Sequence, residues 1–491
     1  MSEFQIPFVA AAALLPLAGA ALVGRLRDTQ RAHRWASVIA GVTLVCAIGA
    51  WQDFNFRQAA DGGAGVAQER WNPVSVLFGG QTPLAVDELT APLLPTIALL
   101  YFLTILATQK TKVRRVSFGR TLVAESVLLA TFSAREPWLI VGLLALGTIP
   151  PYLELRRRMK PTRVYLVHMV AFVVLLVGGW ALVSQNGGGQ IDSVWILLPL
   201  LLAVLIRSGL VPVHCWLSDL FEHAAFGNTL LLAAPMTGAY AMLRLVVPVA
   251  PDWVLNGLGV VAAVTAVYAA GLSLVQREAR RFFCYLFLSH SALVLVGLLI
   301  VNSTGMAGAL CMWLSVGIGL GGLGLTLRAL EARIGRLSLT EFRGLYEHTP
   351  ALAICFVIAG LAIVGFPGTL GFIGTEMLLD GTVGSHPFVG VALLLAMALN
   401  SISLIRTYFV LFTGSRLAPS VSLRVGVRER FAVVVFAILL LGGGFYPQPG
   451  VASRYGTAER ILSDRADRSA LQPRPRLATR LKVDAIETNR R

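Results

Sequence analysis

The sequence predicts an all-α polytopic membrane protein of about fourteen transmembrane helices, with two inverted five-helix repeats and interruptions in the seventh and twelfth helices. Three observations carry this reading. Hydrophobic residues make up 56% of the 491 residues, charged residues 14%, and mean hydropathy is +0.72, a balance foreign to soluble enzymes. Apolar runs of spanning length recur from Ile6 almost to Tyr446. The basic residues cluster in short stretches between those runs, where the positive-inside rule expects them. A net charge of +15 would otherwise point to nucleic acid; distributed this way it does not.

At about 20 apolar residues per span, the segments fall at 6–24, 36–51, 91–108, 121–134, 137–155, 164–184 and 193–212. They continue at 228–248, 254–275, 282–301, 305–328, 350–367, 386–413 and 430–446. Basic clusters follow the odd-numbered segments: Arg25 to Arg34, Lys110 to Arg115, Arg156 to Lys160, Arg277 to Arg281, Arg333 to Arg343, and Arg416 to Arg430. Loops after even-numbered segments carry almost no Lys or Arg. Odd segments are therefore expected to end in the cytoplasm, with the N-terminus outside, in a cell (inner) membrane. The first segment, Ile6 to Gly24, is too long and Pro-interrupted for a cleaved signal and is expected to be retained. Residues 1–446 form the transmembrane domain, with repeats near 121–248 and 254–413. The tail 447–491 is rich in Pro, Arg, Asp, Ala and Ser and reads as poorly ordered. It is also a misfit, because an even helix count puts these arginines outside.

No intrinsic catalytic domain or cofactor is expected. The longest polar loop, Gln52 to Gln81, is Gly/Ala/Gln-rich, and the glycines from Gly317 to Gly324 sit in an apolar helix without a phosphate-loop Lys. Five cysteines (Cys46, Cys215, Cys284, Cys311, Cys355) show neither CxxC nor His/Cys ligand spacing, so no metal site is expected.

Ionisable residues inside apolar segments are costly and point to function. Arg207 precedes the Gly209/Pro212 break of the seventh segment, and Glu376 follows the break at Gly365-Phe366-Pro367-Gly368. Broken helices free backbone groups and are tolerated only around a protein-lined or hydrated cavity. Two of them five spans apart, each with one charge, fit an inverted-repeat transporter. Glu125 and His290 are further candidates for a proton pathway, since a carboxyl or a neutral imidazole can relay protons; His168 reads as a packing residue.

Four stretches resemble the antiporter-like subunits shared by respiratory complex I, Mrp-type antiporters and membrane-bound hydrogenases. They are Val86 to Leu93, Val211 to Asp219 (including His214 and Asp219), Glu278 to Tyr285 (including Arg280) with Ser289-His290, and Gly365 to Thr369 with Gly371-Phe372. The resemblance implies a proton-conducting subunit embedded in the lipid bilayer. It puts Arg207, Glu376, His290, Glu125, Asp219, His214, Glu278 and Arg280 along the pathway.

The departures are chemical. The family's helix-five glutamate falls in Val141 to Pro150, which has no acid, and its helix-seven lysine slot holds Arg207, which cannot release a proton. The helix-eight and helix-eleven basic positions fall in apolar stretches at 230–236 and 315–317, and the helix-twelve position aligns with Thr375 or, one residue along, Glu376. The long lateral helix of the distal complex I subunit is not expected after Tyr446. This depleted relay makes a DAB-type inorganic carbon uptake system the leading expectation, with bicarbonate or CO2 as cargo and a cytosolic zinc protein resembling a carbonic anhydrase as partner. The alternatives are a pumping subunit beside other complex I-, hydrogenase- or Mrp-like subunits, and a structural subunit that does not conduct.

Overall fold

Helix after helix runs back and forth across the chain's apolar layer, and the computed structural model describes residues 7–60, 66–67, 82–109, 111–187, 189–414 and 424–470. The helices are α1 (Phe8–Arg25), α2 (Thr29–Ala60), α3 (Leu93–Leu106), α4 (Phe118–Ser133), α5 (Pro137–Leu146), α6 (Ile149–Arg157) and α7 (Arg163–Gln185). Next come α8 (Val194–Ser208), α9 (Cys215–His223), α10 (Phe226–Ala233), α11 (Thr237–Ala241), α12 (Asp252–Val275), α13 (Ala279–Leu299) and α14 (Ser303–Ile334). The last are α15 (Pro350–Ile363), α16 (Gly371–Ser385), α17 (Pro387–Phe412), α18 (Val427–Phe445) and α19 (Gln448–Ala470). Two short strands, β1 (Val66–Ala67) and β2 (Val86–Asp87), pair antiparallel. Among the described residues nine helices are long and apolar enough to cross a membrane, counting α5 with α6 and Phe226–Val246 as one each. The chain is a mostly helical, multi-pass membrane protein.

Local chemistry sets the helix ends. Pro137, Pro350 and Pro387 open α5, α15 and α17, where a missing N–H costs nothing. Asn302 caps α14, its side chain accepting from Thr304 N at 2.8 Å and Gly305 N at 3.3 Å. Val167, Val170 and Val174 on α7 and Val391 and Ile405 on α17 are exposed, the outward apolar stripe of a lipid-facing helix, whereas α13 is buried almost throughout.

Both expected breaks are present. After α8, Gly209 turns left-handed at φ +69, the freed Ile206 carbonyl accepts from Trp216 Nε1 at 2.8 Å, and Val211 N donates to Thr265 Oγ1 at 3.2 Å. After α15, Gly365 and Gly368 lie at φ +77 and +83, and Leu370 N donates to the Leu440 carbonyl at 2.8 Å. Neighbouring helices thus satisfy the backbone groups each break releases. Close packing holds α16 on α14: a Cβ on Gly308 would lie 2.4 Å from Leu378 N, and one on Gly381 2.4 Å from Gly305 N. Small residues let helices approach this tightly.

The C-terminal segment differs from the sequence expectation. Residues 448–470 form α19, turned 79° from α18; residues 471–491 lie outside the described residues. Arg454 donates to the Leu89 carbonyl at 3.2 Å and to Glu88 O, Arg460 pairs with Glu88 at 3.2 Å, and Arg465 donates to Ala250 O at 2.8 Å and also to Val247 O and Asp252. Residues 84 and 134 are bridged on this same rim. The arginines that looked misplaced for a free tail are spent on rim carbonyls and carboxylates, which orders the helix.

Candidate functional site

A cavity of about 370 Å³ opens among the basic loops and narrows inward between α4, α5, α6, α9 and α10. Arg114, Arg120, Arg157, Arg158 and Lys160 line its outer part, and Arg207 and Thr237 its inner end, with Thr131, Leu144 and Leu232 between. Arg207 stands thirteen residues into α8 from Val194, about 20 Å along the axis, and so deep in the apolar layer. The residue is 6% exposed. Nε donates to Thr237 Oγ1 at 2.9 Å, while Nη1 is buried without a hydrogen-bond partner. The rings of Phe172 and Trp216 lie 5.9 and 6.0 Å from it, which offers cation–π contact but no counter-charge.

Glu125, on α4, is fully buried, and neither carboxylate oxygen has a hydrogen-bond partner. It does not line the cavity, which touches its neighbours Thr121, Ala124 and Leu128, and it forms no ion pair with Arg207 among the described residues. Tyr101, on α3, lies within its electrostatic reach.

His290 is 1% exposed on α13, with Nδ1 2.9 Å from the Leu286 carbonyl. Beside it a polar ladder joins α13 and α12 to α17: Asn400 Nδ2 donates to Ser289 Oγ at 2.8 Å, and Ser273 Oγ donates to Ser403 Oγ at 2.9 Å. His214 sits in the first break, 8% exposed, with Nδ1 unpartnered and its ring edge-on to Tyr268 at 5.5 Å. Asp219 pairs with His223 one turn on in α9 at 3.2 Å.

The remaining candidates lie away from the cavity. Arg280 grips Glu331 with Nε at 2.9 and 3.0 Å and gives Nη1 to the carbonyls of Phe221 and Ala224, stapling the end of α9 to α13 and α14. Glu278 precedes α13 at its N-cap position without a side-chain cap bond and pairs with Arg336 at 3.1 Å. Glu376 is exposed on the outer face of α16, while its neighbour Thr375 is buried and donates to Gly371 O at 2.8 Å. The inward slot after the second break is therefore occupied by threonine.

Sequence reasoning missed Glu154, Asn228, Thr229 and Thr237. Glu154, on α6, is 7% exposed and lines the cavity, but its oxygens accept from Ala225 N at 2.8 Å, Asn228 Nδ2 at 2.5 Å and Arg158 Nε at 3.0 Å. Its place just before the Arg156–Lys160 cluster hid it; an acid beside four bases was the signal. Arg328 was missed too: half-buried in α14, it donates to Thr104 O and Thr108 Oγ1, each at 2.8 Å.

Residues 162–400 match the family described as NADH:quinone oxidoreductase/Mrp antiporter, TM. Chain 4 1 of the NAD(P)H-quinone oxidoreductase of Synechococcus elongatus is 27% identical over 484 residues, covering 91% of this chain and 90% of that protein. Subunit 13 of the Thermus thermophilus NADH-quinone oxidoreductase is 27% identical over 416 residues, covering 79% and 87%. In fold, a chain of the Mrp complex from Dietzia superposes with a TM-score of 0.79 at 16% identity, covering 93% of this chain and 98% of that one. A chain of Thermus thermophilus respiratory complex I gives 0.77 at 23% identity, covering 93% and 99%. The chain as a whole is thus similar in sequence to quinone-oxidoreductase chain 4 and subunit 13 proteins, and in fold to chains of respiratory complex I and the Mrp complex.

Proposed function

We propose that this chain is a proton-translocating subunit of a multi-subunit membrane complex of the quinone-oxidoreductase or Mrp antiporter kind. The observation that carries the reading is Glu125: a fully buried carboxyl with both oxygens unpartnered has no structural use that offsets its burial. It holds or releases a proton with no fixed partner to compete. Arg207 stands on the wall of the cavity as a permanent charge. His290 and the Ser289–Asn400 ladder continue polar groups toward the second break. The arrangement fits fourteen spans with inverted repeats near 121–248 and 254–413, the N-terminus outside and the basic loops in the cytoplasm of a cell membrane.

The sequence had favoured inorganic carbon uptake with a carbonic-anhydrase-like partner; the relatives support the quinone-oxidoreductase or Mrp setting instead, and the partners expected are other membrane subunits. Glu376 and Asp380, both exposed one turn apart on α16, are where a neighbouring subunit would cover charge that lipid cannot. The test is proton flux in vesicles holding the intact complex. Glu125→Gln should lower flux at least about tenfold with all subunits still assembled; undiminished flux would remove Glu125 from the pathway.

A further inference from the structure

Beyond proton movement, we infer that the cavity ending at Arg207 binds a small inorganic anion, a halide or a monovalent oxyanion. Charge on its wall is one-sided: five basic residues line the outer part, Arg207 the inner end, and Glu154 is the single acid. That acid is committed to Ala225 N, Asn228 and Arg158 and cannot serve Arg207. Among the described residues Arg207 has no ion pair, yet guanidinium keeps its charge at any workable pH. A buried cation without a counter-charge costs several kcal/mol, and Glu125 forms no ion pair with Arg207 among the described residues and does not line the cavity.

The donors at the inner end suit an anion and nothing else. Thr237 Oγ1 accepts from Arg207 Nε, so its hydroxyl proton is left to donate, and Arg207 Nη1 has no acceptor. The other cavity threonines spend their protons on nearby backbone carbonyls: Thr121 on Ser117 O at 3.1 Å, Thr131 on Val127 O at 2.6 Å and Thr229 on Ala225 O at 3.2 Å. A low-dielectric funnel with a basic mouth raises the local anion concentration and focuses the field on Arg207. Arg207, with an acceptor-free guanidinium nitrogen, and Thr237, with a hydroxyl proton to give, thus both line a cavity whose other charged wall residues are mostly basic. Cations would meet the same field as repulsion.

The experiment is chloride binding by the intact protein in nanodiscs, read as excess 35Cl NMR linewidth, with 133Cs as the cation control. Wild type should broaden chloride saturably and caesium not at all, and nitrate should compete. Arg207→Met should abolish the saturable broadening, Arg207→Lys should keep part of it, and Thr237→Val should weaken it by about three- to tenfold, the loss of one hydrogen bond at 1.4 kcal/mol per decade. As a second reading, chloride should raise the melting temperature of wild type measured in gluconate, and not that of Arg207→Met. A lipid phosphate as the occupant is separated by lipid choice: if broadening appears in phosphatidylcholine discs and vanishes in anionic ones, the lipid headgroup owns the site and the inorganic-ion proposal fails. Equal broadening in wild type and Arg207→Met, or none in wild type, also overturns it. The readings are equilibrium binding, so a failure of proton flux leaves them standing and the reverse.

Discussion

Arg207 Nε and Thr237 Oγ1 meet at 2.9 Å across thirty residues of chain, the one hydrogen bond that guanidinium makes among the described residues. Arg207 precedes the first break and Thr237 opens α11, so α8 and α11 are tied by a bond that leaves most of the charge unanswered. A buried cation held this way is kept for what it does to the cavity, because replacing such groups by apolar ones of similar size is commonly neutral or stabilising.

Arg207→Met is accordingly expected to leave thermal stability unchanged or to raise it by about 1–3 kcal/mol in gluconate buffer, while proton flux falls. The measurement is the melting temperature of the purified protein beside its vesicle flux. A drop of many degrees would mean that the arginine is a structural anchor.

Glu376 faces off the bundle, so Glu376→Gln should leave most proton flux intact in complexes that form. It should instead weaken retention of a neighbouring subunit during purification in mild detergent. Full assembly combined with lost flux would return Glu376 to the pathway. Thr375→Val, at the buried position, probes the inward slot in the same assay.

The α14–α16 seam is set by backbone approach. Gly308→Ala puts a methyl 2.4 Å from Leu378 N and should cost about 1–3 kcal/mol as overpacking, seen as a lower melting temperature. Gly257→Ala on α12, where a Cβ meets nothing within 4 Å, is the control and should be neutral or slightly stabilising.

Asp87, in β2 outside the spans, pairs with Arg244 at 2.5 Å and accepts from Thr90 N and Oγ1, each at 3.0 Å. Burial pushes its carboxyl up, but the Arg244 guanidinium and Thr90 outweigh that and hold it below the ordinary carboxylate range. A depressed folded-state pKa stabilises fully above the unfolded value, about 3.9, and the contribution is lost as pH falls through the folded value. Wild type should therefore lose melting temperature below about pH 4. Asp87→Asn should start lower at pH 7 and show a shallower acid decline; parallel curves would show that the pair contributes nothing.

The span pattern and the two breaks were legible in the sequence because hydropathy, Gly/Pro punctuation and the alternation of basic loops are local properties of consecutive residues. Arg207 stood out for the same reason, as a charge inside an apolar run. Orientation was not legible. Adjacent positions on a helix point about 100° apart, so whether Thr375 or Glu376 faced inward was decided by which glycines α14 and α16 press together, a fact of packing between distant segments. Glu154 was invisible as a cavity acid because its partners, Ala225 and Asn228, lie more than seventy residues away. The same holds for α19: composition alone predicts little order from 448 onward, and only the carbonyls of Leu89, Val247 and Ala250, brought to one rim by the folded bundle, give its arginines something to bind. Sequence determined which residues enter the membrane; tertiary packing decided which of them face one another.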